Sequence, residues 1–173
     1  MTDYVAAAAA ATVAGLVREY RADEAGTLEH LLDVCQDAAL GARLAAEIFT
    51  DDAELATFFE EIATDRDRFA TRLALLIADT GHGDEIDSKG TFRGKLFHWR
   101  LQLATRIFIG EHEATDRRVN LNIIRMGSNQ VLKDYEKAEG RDLSPEAHKE
   151  VHRQAERIRA TNARIRKLAE GLK

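Results

Sequence analysis

One proline, one cysteine and an aromatic content of 6% are the most telling shortages in this sequence. With a single proline, long stretches have nothing to break a helix, and with few aromatics the residues that favour strands are thin. One cysteine excludes an intrachain disulfide and fits a reducing, cytoplasmic setting. Glycine is modest at 11 residues. The uncharged run from Val5 to Val17 is shorter than the roughly 20 residues a membrane span needs. It follows Asp3 without a basic segment, unlike a signal peptide, so no membrane association is expected.

What fills the chain instead is Ala, Leu, Arg and Glu, the strong helix formers. An all-α protein is expected, and 173 residues suffice for one core that buries about two-thirds of the unfolded surface. Net charge is −5, which gives no global reason to expect nucleic acid. The charge is unevenly spread: Ser88 to Gly110 holds five bases and no acid, and Asp51 to Asp65 six acids and no base. These segments can complement each other or simply solvate helix faces; an anion-binding basic patch over 89–106 is the sharper alternative.

Along the chain, residues 1–26 read as an Ala-rich helical extension, with Val5, Ala9, Val13, Leu16, Val17 and Tyr20 biased to one side. After Gly26, Thr27 is placed to cap a helix running to about Phe49, with Leu28, Leu31, Cys35, Ala38, Ala42, Ala45 and Phe49 inward. Asp51 or Asp52 caps the next, which ends at Thr80-Gly81-His82-Gly83. The loop 81–90 is long enough to cross a bundle, and a shorter helix is expected over 91–109. Leu121, Ile124, Val131, Tyr135 and Ala138 then mark a long third helix, with Ser128 in its central slot. Ser144-Pro145 signals the start of the last helix, whose central slot holds Asn162.

Four long helices with one crossing connection, over residues 27–173, suggest a ferritin-like four-helix bundle. In that arrangement two helices each supply a Glu and two supply Glu-x-x-His to a pair of metal ions. None of the six histidines has a Glu three residues earlier. The mid-height slots hold Ala38, Ala39 or Ala42, then Arg66, Ser128 and Asn162, a set without the carboxylates that two buried divalent cations require. A buried Arg66 needs a carboxylate, and Asp65, Asp37 and Asp134 are the expected partners. Arg66, Ser128, Asn162 and Tyr135 are therefore read as a polar core layer.

Several short pieces carry a resemblance over roughly residues 28–168. They are Gly41-Ala42-Arg43-Leu44-Ala45-Ala46-Glu47, Arg66-x-x-Phe69-Ala70-x-x-Leu73, a Gly-rich loop before a helix containing Trp99, and Tyr135-x-x-Ala138. In order and spacing the chain resembles a ferritin-like four-helix-bundle family of small bacterial proteins of unknown function, associated with stress responses. The resemblance implies the fold. It does not imply the metal site, because Ile123, Arg125, Ser128 and Asn129 replace the family's acidic run, Thr161-Asn162-Ala163-Arg164 lacks its His and Asp, and Arg72 stands where a Glu is usual.

Other constellations are weak. His148 and His152 lie one turn apart around Glu150, a spacing that suits one metal ion or an ordinary solvated face. Ser128, Ser144 and Cys35 have no base at a recognisable spacing, so no catalytic residue is assigned. The leading expectation is a non-enzymatic bundle without a di-metal centre and without a cofactor, in a structural, interaction or stress-associated role. It is expected to be a homo-oligomer, as a homodimer, or to bind a protein partner. The alternative is an iron- or manganese-dependent oxidoreductase or storage protein with ligands drawn from Glu47, Asp65, His148, Glu150 and His152. The second alternative is anion or nucleic-acid binding through 89–106.

Overall fold

The computed structural model describes residues 2–81 and 117–171, with the backbone alone for 2–18. Within these residues the chain is all helical and has no strand. The helices are α1 (Thr2–Ile48), α2 (Ala53–Asp79), α3 (Arg117–Glu139) and α4 (Pro145–Gly171). None of them is long and apolar enough to cross a membrane. The crossing connection and the shorter helix expected over 91–109 lie outside the described residues.

One expected boundary is corrected. No helix begins at Thr27: α1 runs unbroken through Gly26, and the Thr27 hydroxyl donates to the Asp23 carbonyl one turn back, at 3.0 Å, instead of capping. A mid-helix glycine costs only about 1 kcal/mol, and here buried Ala25 and Leu28 flank it.

The other boundaries follow local chemistry. Asp52 caps α2, its carboxylate accepting from the backbone N–H groups of Glu54 at 3.1 Å and Leu55 at 3.0 Å. Arg117, at the start of α3, forms an ion pair with the same Asp52. At the other end of α2, Gly81 turns left-handed at φ 78 and donates its N–H to Ala78 O, a conformation that suits glycine.

The four-residue connection 49–52 makes α1 and α2 an antiparallel hairpin, and residues 140–144 do the same for α3 and α4. The apolar faces meet in two clusters. Toward one end Leu28, Leu31 and Cys35 of α1 pack with Phe69, Leu73 and Ile77 of α2, Tyr135 of α3, and Val151 and Ile158 of α4. Toward the other, Ala42, Ala45 and Phe49 meet Leu55, Phe59 and Ile62, Leu121 and Ile165. Phe59 ties the second cluster together, 5.6 Å from Phe49 and 5.3 Å from Phe58 between ring centroids. Between the clusters the core is polar and partly open.

Candidate functional site

The inward face of α2 runs Phe59, Ile62, Arg66, Phe69 and Leu73, so helical spacing carries Arg66 into the bundle whatever its charge. Its side chain is 2% exposed, and the guanidinium carbon sits 5.3 Å from the Phe69 ring centroid, within cation–π reach. Among the described residues the guanidinium makes no ion pair and no hydrogen bond. The carboxylates expected to meet it are engaged: Asp65 accepts from Arg157 at 2.9 Å and lies 3.7 Å from Arg68, Asp134 lies 3.5 Å from Lys137 and 3.9 Å from His30, and Asp37 is not free either. Burial pushes the Arg66 pKa below its usual value, against the opposing influence of Cys35, Tyr135 and Asp65.

Facing α2, Ser128 of α3 donates its hydroxyl proton to Asn162 Oδ1 of α4. The Asn162 amide donates in return to Ser128 O at 3.1 Å and Asn129 Oδ1 at 3.2 Å. The two central slots thus satisfy each other and close α3 onto α4. Asn162 is buried and Ser128 half-buried.

One layer toward the α2 C-terminus, a second polar chain crosses all four helices. Tyr135 is fully buried, its hydroxyl 2.5 Å from Gln154 Oε1 and 2.9 Å from Cys35 Sγ. The phenol has one proton and gives it to the amide oxygen, so the Cys35 thiol donates to the phenol oxygen. The Gln154 amide donates to Glu150 Oε1 at 2.6 Å and reaches Phe69 O at 3.5 Å. Glu150 leads outward to Arg153, which holds it in a two-pronged contact at 3.0 and 2.6 Å. Burial pushes the Cys35 thiol up to about 11, against the Tyr135 hydrogen bond and Arg66. Burial also raises the Tyr135 phenol. Burial acts to raise Glu150 as well, but the bonds from Arg153 and Gln154 prevail and hold it below the usual carboxylate range.

Gln154 was not among the candidates read from the sequence, although its spacing offers a signal. It falls three residues after Val151 and four before Ile158, on the row that carries every inward residue of α4. A glutamine on a largely apolar row marks a buried polar partner.

Between the two core clusters lies a cavity of about 370 Å³. Val34, Ala38 and Ala42 of α1 form one wall, Ile124, Gly127 and Val131 of α3 the other. Arg66, Ile62 and Phe59 of α2 and Ile165 of α4 also line it. Small residues at 38, 42 and 127 leave the room, since no large side chain from α1 or α3 reaches across. Its lining is largely apolar, with Arg66 and Ser128 inside it and His30, Asp37, Gln130 and Asp134 also contributing.

The residues considered as metal ligands are scattered. Glu47, His148 and His152 are exposed, and Glu150 is buried against Arg153 and Gln154. Asp65 is committed to arginines on α2 and α4, and His152 Nδ1 lies 2.6 Å from Glu139. Among the described residues no three His, Cys, Asp or Glu side chains converge on a point that could hold a metal ion.

Comparison with protein-family models, with curated proteins and with solved structures gives no match. The reading of this site therefore rests on its own geometry.

Proposed function

We propose that this chain is a non-enzymatic bundle of ferritin-like arrangement whose interior serves binding instead of metal chemistry. One observation carries the reading: the mid-height positions, where a di-metal bundle directs carboxylates, hold the buried cation Arg66, the self-satisfied Ser128 and Asn162 pair, and a cavity. A guanidinium in the centre repels divalent cations, and neutral amide and hydroxyl groups do not supply the charge balance two such ions need. The connection of 35 residues between Gly81 and Arg117 has the length of a crossing link, which supports the ferritin-like order of helices.

Elemental analysis of untagged protein, produced with added iron and manganese and purified without chelators, tests the reading. Less than about a tenth of an equivalent of metal per chain is expected. About two tightly held ions per chain, the stoichiometry of a di-metal bundle, would overturn it.

A further inference from the structure

We infer that the central cavity binds a small apolar monocarboxylate, with the carboxylate on Arg66; the inference rests on the binding role proposed above and names its ligand class. Arg66 is buried, lines the cavity, and has neither an ion pair nor a hydrogen bond among the described residues. A cation in that state is the group a bound anion would complete, and a carboxylate matches the planar fork of a guanidinium with two parallel hydrogen bonds.

The rest of the cavity sets the remainder of the ligand. Its walls of Val34, Ala38, Ile62, Ile124 and Val131 are apolar and favour an alkyl or aryl body beside the few polar groups at the lining, Ser128, Gln130, His30, Asp37 and Asp134. A volume of about 370 Å³ lies near the lower end of the range of roughly 300–1,000 Å³ for small-molecule pockets. A doubly charged phosphate fits poorly, because among the described residues one guanidinium is the only permanent cation lining the space, and the carboxylates of Asp37 and Asp134 also border it. One negative charge on an apolar body is the chemistry the site complements.

Isothermal titration of the full chain with octanoate, 1-octanol and octylammonium tests this, with metal content measured on the same sample. Octanoate is expected to bind once per chain and at least about tenfold more tightly than octanol, the ratio one charge-assisted hydrogen bond supports. Arg66→Met should bring octanoate down to the octanol affinity, while Ala38→Phe, which fills the cavity without touching the cation, should abolish binding of both. Equal affinity for octanoate and octanol, preference for octylammonium, or octanoate binding that survives Ala38→Phe would each overturn the inference. Absence of octanoate binding in metal-free protein would overturn the ligand class and leave the proposed bundle standing. Two metal ions per chain would overturn that broader reading on its own.

Discussion

Glu24 and Ser144, 120 residues apart, share a two-pronged bond: Glu24 Oε1 accepts the Ser144 backbone N–H at 2.8 Å and its hydroxyl at 2.5 Å. Ser144 is the residue just before α4, and its hydroxyl oxygen lies 3.4 Å from the Ala147 N–H. The cap of the last helix is thus itself held by a buried carboxylate on α1, two residues before Gly26. Glu24→Ala should lower stability by about 1–2 kcal/mol, the range for losing a cap with its supporting bond. Urea unfolding of the two proteins measures it, and a change below about 0.5 kcal/mol, the size of a surface substitution, would show that α4 does not depend on this anchor.

Tyr135→Phe removes the one hydroxyl that joins Cys35 to Gln154. The ring still fills its site, so the cost is that of leaving the buried Gln154 Oε1 without its donor, about 1–3 kcal/mol. Combining it with Gln154→Met should recover much of that loss, because the orphaned amide disappears too. Additive costs in the double mutant would mean that the two side chains do not share a bond.

Cys35 gives the network a pH signature. Its folded pKa is raised to about 11 from the ordinary 9.0, chiefly by burial. Below the unfolded value both states keep the proton and the stabilisation is complete. Above it the unfolded chain releases the proton and the folded one does not, so stability falls as pH rises from about 9 to about 11. At pH 8 the native thiol should react with a disulfide reagent far more slowly than the same chain in denaturant, because the thiolate is the nucleophile and is both scarce and inaccessible. Equal rates in the two conditions would place Cys35 outside the core.

Much of this architecture is legible in the sequence, and the parts that are not share a cause. Asp52 and the Ser144-Pro145 pair mark helix starts, and Gly81 a helix end, because their chemistry is local. The inward rows of α2 and α4 follow from spacing alone, which is how Arg66 and Asn162 come to stand at mid-height. Continuity through Gly26 escapes such a reading, since the glycine signal is weighed without Glu24, Ala25 and Leu28 packing around it. That Arg66 meets none of its expected carboxylates escapes it as well. Asp65 and Asp134 are near in sequence pattern, but Arg157, Lys137 and His30 reach them in the folded chain. Gln154 shows the same limit from the other side: its place on the row is visible, whereas its bond to Tyr135 needs the third dimension.

Because Arg66 has no carboxylate within ion-pair reach among the described residues, its removal differs from the breaking of a buried pair. A guanidinium without a carboxylate carries a desolvation cost, and Phe69 returns only a cation–π contact. Arg66→Met, similar in length and apolar, should leave ligand-free protein at least as stable as the parent. Added octanoate should then raise the thermal midpoint of the parent and leave the variant unmoved, since a ligand stabilises only the state that binds it. A loss of more than about 1 kcal/mol on Arg66→Met, the central tendency for a harmful substitution, would mean that the guanidinium already has its anion within the folded chain.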